Sequence, residues 1–222
     1  MRGNGPRCIE PELLDDAPEK EARQSLRDLV RINTWSGGHR LARRLIGEFA
    51  SRADSFTVLD VGSGTGDMGD AIRRGFPCAT VTSLDRDALH AGLAPPPRLV
   101  ADAFQPPFGC RSFDFVFCSL FLHHFENAAI VRLLRSFAEL ARVAVLAIDL
   151  ERGPIAWHAL HATRWLFHWH PITLHDGPIS VQAGFKRDEL ARLAEAAGLG
   201  DAKVRQHRPW ARLSVSADVR TR

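Results

Sequence analysis

Three groups of side chains in this sequence could do chemistry. Asp60 lies near the end of a short apolar run, Phe56–Val61, while Asp85 closes the run after Ala79–Leu84 and Asp102 the run after Arg98–Ala101. Gly62, Ser63, Gly64 and Gly66 form a glycine-rich turn directly after the first run. Glycines there let a ligand approach the backbone without Cβ clashes. The helix that follows has unpaired N–H groups at its start, which favour an anion. Histidines form the third group. His123 and His124 follow a fourth apolar run, and His158, His161, His168, His170 and His175 cluster further on.

Two cofactor classes use such a glycine turn. Dinucleotide sites read G-x-G-x-x-G/A, with an acidic residue about 20 positions later. Here the third glycine site would be Asp67, whose carboxylate would repel a pyrophosphate. The spacing present is G-x-G-x-G. S-Adenosylmethionine offers an ammonium for Asp60, ribose hydroxyls for Asp85 (with Arg86 beside it) and an adenine amino group for Asp102 (with Ala103). Three carboxylates at one edge of a sheet suit that molecule, because open α/β sheets bind ligands at the carboxyl ends of their strands. Cys118, at the end of the fourth run, is counted with the cofactor residues. Arg40 is a candidate partner for a cofactor carboxylate.

Methyl transfer to a hydroxyl benefits from a base, and histidine titrates nearest neutral pH. His124 is the first candidate, with His123, His170 and His175 as substitutes. There is no tyrosine, which excludes dehydrogenases that use one. His158 and His161 are three apart on a helical stretch, but no thiol lies among the clustered histidines and Asp176 is the only carboxylate, so no metal is expected. Trp157, Trp165 and Trp169 are expected in a hydrophobic lid over the substrate, with Trp35 covering the same side.

Five apolar runs, ending at Val61, Asp85, Asp102, Ser119 and Asp149, must hold these groups. Helical stretches at 66–74, 86–93 and 128–140 lie between most of them, so βαβ units and a doubly wound sheet are expected. Two helices precede the sheet, over 19–32 and 39–53. A helix over 155–169, a loop over 171–184, a helix over 186–197 and a closing antiparallel pair (202–207 and 211–217) follow it. The first dozen residues are expected to fray. The organisation expected is a helical cap (1–45), an α/β core (46–150) and a lid with closing elements (151–222).

The chain has 222 residues and a net charge of +3. Only Lys20, Lys186 and Lys203 are lysines, and no basic stripe points to nucleic acid. No apolar run reaches the roughly 18 residues of a membrane span, and a cytoplasmic location is expected. Cys8, Cys78, Cys110 and Cys118 form no CxxC pair and read as isolated thiols.

Val58–Asp67 resembles the first motif of class I S-adenosylmethionine-dependent methyltransferases. Asp85 matches that family's ribose position, and Asp102-Ala103 with Pro106-Pro107-Phe108 its adenine motif. Phe113–Val116 with Ser119–Phe125 resembles relatives of the ubiquinone/menaquinone methyltransferases. Leu26–Arg40 and His170–Phe185 are similar to small bacterial methyltransferases that accompany type III polyketide synthases. The resemblance implies a Rossmann-like α/β fold and S-adenosyl-L-methionine as cofactor. It also implies O-methylation of a small, largely apolar phenolic or polyketide-type acceptor. C-methylation of a quinone-like ring, a NAD(P)-dependent oxidoreductase and a non-catalytic cofactor-binding module are the alternatives. The sequence leaves the oligomeric state open.

Overall fold

The computed structural model describes residues 5–221. Seven strands form one sheet: β1 (Thr57–Val61), β2 (Thr80–Asp85), β3 (Arg98–Val100), β4 (Phe113–Ser119), β5 (Ala141–Leu150), β6 (Lys203–His207) and β7 (Arg212–Asp218). Their spatial order is β3-β2-β1-β4-β5-β7-β6. The first five run parallel, and β7 is antiparallel to both β5 and β6. The order reverses between β1 and β4, which opens a crevice at their carboxyl ends.

Helices cover both faces. On one side α2 (Gly38–Ile46) and α3 (Asp67–Gly75) bring Leu45, Ile46 and Ile72 onto Val58, Phe115, Phe117, Leu146 and Ile148. On the other, α5 (Asn127–Leu140) and α8 (Arg187–Ala196) bring Leu134, Phe137 and Leu190 onto Leu59, Val61, Val116 and Val145. The period-2 alternation is visible within β4: Phe115 and Phe117 face one layer, Val116 and Cys118 the other. Burial on both faces explains why these strands read as continuous apolar runs.

The remaining helices are α1 (Glu19–Trp35), α4 (Ala88–Leu93), α6 (Pro154–Phe167) and α7 (Pro171–Ala183). Three expectations are corrected: the second helix, the loop over 171–184 and, for residues 5–12, the fraying of the N-terminal segment. The second helix stops at Ile46, and residues 47–49 form a turn, so it is shorter than 39–53. Residues 171–183 form helix α7, not a loop. Pro171 sits at the helix start, where its missing N–H costs nothing. Pro178 lies inside the helix, but Ile172, Thr173, Asp176, Val181 and Ala183 are buried with it. Their packing offsets the lost ladder bond.

The described part of the N-terminal segment, residues 5–16, is a fixed strap. Arg7 donates to the carbonyls of Ala183, His123 and Phe125 and stacks over Phe185. Arg152 donates to the carbonyls of Gly5 and Gly184, and Asp176 accepts from the N–H groups of Leu13 and Leu14. A 3₁₀ turn (Leu13–Asp16) ends the strap.

Candidate functional site

The glycine turn sits at the crevice. Gly62, Gly64 and Gly66 have φ of 65°, 53° and 74°, a region that side chains rarely adopt. A Cβ on Gly64 would meet only open space, so the turn presents bare backbone to a ligand. A Cβ on Gly62 would strike the Phe121 ring at 2.2 Å. Asp85 closes β2 and stiffens the turn: its Oδ2 accepts from the Gly64 N–H (2.8 Å) and its Oδ1 from the Asp87 N–H (3.0 Å).

Asp60 is the penultimate residue of β1 and 1% exposed. Its Oδ2 has no hydrogen-bond partner, and neither does the buried Ser63 hydroxyl. Burial, and next the charge of Asp67, push the Asp60 carboxyl up to about 8. Unsatisfied buried acceptors beside an open glycine turn fit a ligand that brings a cation and hydroxyl donors, as S-adenosylmethionine does.

Asp102 lies two residues beyond β3, exposed, with its Oδ1 on the Phe104 N–H. Ala103 is buried beside it and Arg86 is exposed. Cys118 is packed in the core, where burial holds its thiol well above the usual range. Arg40 is exposed. Its neighbour His39 turns inward instead, with Nε2 2.7 Å from Asp67, which also accepts from the Asn33 amide.

A second space opens beside the crevice. It is a cavity of about 290 Å³, walled by α1, α6, α7 and the β6–β7 hairpin. Leu29, Ile32, Leu160, Phe167 and Trp169 make it largely apolar. One turn separates the two spaces. Leu120 takes a left-handed backbone (φ 54°) straight after β4, so the chain reverses. Phe121 then faces Gly62 while Leu120, His123 and His124 line the cavity.

His123 is 3% exposed, and its Nδ1 lies 2.7 Å from Asp149 Oδ1. Its backbone N–H donates to the same carboxylate (3.2 Å). Its Nε2 is 3.9 Å from Glu12, which reaches in from the strap and accepts from Ser180. Burial alone would lower the His123 pKa, but the Asp149 charge and hydrogen bond, with Glu12, raise it above the ordinary value. The His123 charge and hydrogen bond in turn hold Asp149 low against its own burial.

His124 is exposed and opens onto the concave cavity. Desolvation there and the neighbouring His123 push its imidazole down to about 3. The ring is held by the Leu120 backbone and lies 4.2 Å, centre to centre, from that of His123. Glu12, His123 and His124 bring their donor atoms within 4.8 Å of one another. The 3.9 Å between Glu12 and His123 exceeds the roughly 3.4 Å edge of a tetrahedral zinc shell with bonds of about 2.1 Å. Glu12 and His123 thus stand near each other without a hydrogen bond between them.

Other expected residues are not brought to the cavity. His170 caps α7: its ring accepts from the Ile172 N–H, and its own N–H donates to Asp28. His175 points outward against Asp176. Trp165 is 78% exposed, and Trp157 lies against His158 rather than in the cavity wall. α6 turns its other stripe inward, Ala156, Leu160, Thr163 and Phe167, at i, i+4, i+7 and i+11 spacing. Trp169 and Trp35 do line the space.

Sequence reasoning did not single out Glu12 and Arg212, which line the cavity, or Asp149, which pairs with His123. Asp149 carried a readable signal, since it closes a strand as Asp85 does. Glu12 and Arg212 carried none, because both arrive from segments distant in sequence.

The model of the family described as "Methyltransferase domain" matches residues 34–204. No curated protein matches the sequence significantly. Among solved structures, human N-acetylserotonin methyltransferase in complex with S-adenosylmethionine aligns with a TM-score of 0.66 and 18% identity, over 95% of this chain and 60% of that one. A SAM-dependent methyltransferase from Aquifex aeolicus gives 0.56 and 17%, over 85% and 97%. The pyocyanin biosynthetic protein PhzM gives 0.55 and 21%, over 81% and 55%. The chain thus spans less than two thirds of the human and pyocyanin proteins, and at such identities the likeness concerns the fold. The family match covers most of the chain and falls on the glycine turn, the crevice and the sheet described above: this chain belongs to the methyltransferase domain family, a class I α/β enzyme fold with S-adenosylmethionine as its cofactor.

Proposed function

We propose that this protein O-methylates a small, largely apolar acceptor carrying a phenolic or similar hydroxyl. The observation that carries the reading is the shared turn. Leu120–His124 faces the glycine crevice on one side and an apolar cavity on the other, with the His123–Asp149 pair set into the cavity wall.

The bound cofactor supplies an already activated methyl group. Asp60, Gly62, Ser63, Gly64 and Gly66 would hold its amino-acid end and Asp85 its ribose, while Asp102 and Ala103 flank the adenine side. What remains for the protein is to orient a nucleophile and exclude water. The apolar walls from α1 and α6 do the second.

For the first, His123 suits the task better than His124. Asp149 fixes the His123 tautomer with Nδ1 as donor, which leaves Nε2 as the acceptor. A proton taken from the acceptor hydroxyl at Nε2 makes an imidazolium flanked by Asp149 and Glu12. His124 stays neutral and shapes the wall.

The test uses methyl-labelled S-adenosylmethionine with a panel of phenolic lipids and simple phenols, read by mass spectrometry. Label on an ether oxygen is the expected result. Label on a ring carbon would overturn O-methylation in favour of C-methylation. Tight binding of S-adenosylhomocysteine without turnover of any phenol would overturn the acceptor class.

A further inference from the structure

Arg212 has no place in the chemistry above. It is the first residue of β7, beside Leu150 at the end of β5, and it is 2% exposed. Its side chain lines the cavity. Nη2 donates to Asn33 Oδ1 (3.2 Å) and Ser36 Oγ (3.0 Å), and Nη1 has no partner. Arg212 forms no ion pair among the described residues. Asp149 and Asp67, the acidic groups that act on it, are engaged by His123 and by His39 with Asn33. Even with burial lowering its pKa to about 10, the group stays charged at neutral pH. A buried guanidinium nitrogen left without an acceptor is costly, and such groups in folded proteins call for a partner.

We propose that Arg212 binds a carboxylate oxygen of a small molecule held in this cleft. The proposal rests on the methyl-transfer reading for the identity of that molecule, not for the site itself. Two sources share the chemistry: a carboxylate on the acceptor, and the methionyl carboxylate of the cofactor. An acceptor carboxylate would lie at the same sheet edge as His123, because Asp149 and Leu150 end β5 and Arg212 pairs with Leu150. The acceptor would then be a hydroxy acid with an apolar body.

The experiment is calorimetric titration of the whole protein and its Arg212→Lys and Arg212→Met variants. One arm compares 4-hydroxybenzoate with neutral 4-hydroxybenzamide. The other compares S-adenosylhomocysteine with 5′-methylthioadenosine, which lacks the carboxylate together with the ammonium, so only a loss in the Arg212 variants, not the wild-type difference, reports on the carboxylate. A charged hydrogen bond predicts a loss of about tenfold or more in Arg212→Met for the carboxylate ligand alone. Loss in the first arm assigns the acceptor, and loss in the second assigns the cofactor. Unchanged binding of both carboxylates in folded variants overturns the proposal. The wild-type comparison of benzoate with benzamide needs no variant, and equal affinity there overturns the acceptor source. Failure of S-adenosylhomocysteine to bind wild type would sink the methyl-transfer reading, and the benzoate arm would still decide Arg212.

Discussion

At the scale of single residues, the site depends on carboxylates pushed in opposite directions. Asp149 is held low by His123, and Asp60 is driven up to about 8 by burial and then by Asp67. These shifts make distinct pH predictions. His123 must be neutral to accept a proton, and its pKa lies above the ordinary 6.5. Turnover is therefore expected to rise with pH along a limb above 6.5. Asp149→Asn removes the main charge that raises His123, so the limb moves to lower pH. His123→Gln should cut kcat by about 10²–10⁴. Binding of S-adenosylhomocysteine should stay unchanged in both variants, measured alongside kcat from pH 5 to 9. A limb that stays put in Asp149→Asn would remove His123 as base. Asp60 behaves differently. Its folded pKa is raised, so its contribution to stability is full below 3.8 and fades as pH rises towards 8. As acceptor of the ammonium group it must ionise, so affinity for S-adenosylhomocysteine should climb between pH 7 and 9. In Asp60→Asn that slope should flatten, while the melting temperature at pH 9 exceeds that of wild type.

Among the elements, legibility followed how much each depends on its neighbours. β4 could be read directly because both faces of a central parallel strand are apolar, and the observed span, Phe113–Ser119, coincides with the run seen in sequence. α7 could not, since Pro171, Gly177 and Pro178 are all breakers on local grounds. Its helix exists because α1, α6 and the strap bury one side of it. The strap has no periodicity at all, so Glu12 became visible only in three dimensions. Asp60 and Asp85 were readable because strand ends and glycine turns are local signals, whereas Arg212 needed the antiparallel register of β7 on β5. The contact of α7 with α6 supplies a prediction of its own. A Cβ at Gly177 would lie 2.1 Å from Leu160 Cδ1, the mobile end of that side chain. Gly177→Ala should therefore turn Leu160 rather than unfold α7, whose propensity the alanine improves. Leu160 lines the cavity. Acceptor KM should rise severalfold with S-adenosylhomocysteine affinity unchanged, and a parallel loss of cofactor binding would show that the two spaces are not separate.

Across the whole molecule, stability is distributed unevenly, and the pattern bears on function. The sheet with α2, α3, α5 and α8 holds two dense apolar layers. α6 has no buried residue, and it exposes Ile155, Trp165 and Leu166. Its inward stripe faces the cavity and packs on α7, with Leu160 at Gly177. Few buried contacts and solvent-exposed backbone bonds define the low end of local stability. α6 is therefore weakly anchored to the core, a common property of segments that must admit and release a substrate. Hydrogen exchange in residues 154–167 of the free protein should be fast for a helix, and slow in β1, β4 and β5. Adding S-adenosylhomocysteine alone should protect residues 60–67 and leave α6 exchanging freely. Adding a bound phenolic acceptor as well should slow α6, because the ligand supplies the apolar surface that the stripe lacks. If α6 is already as protected as β4 without ligand, the helix is a fixed wall, and entry to the cavity must lie along the β6–β7 hairpin, past Pro209 and Trp210.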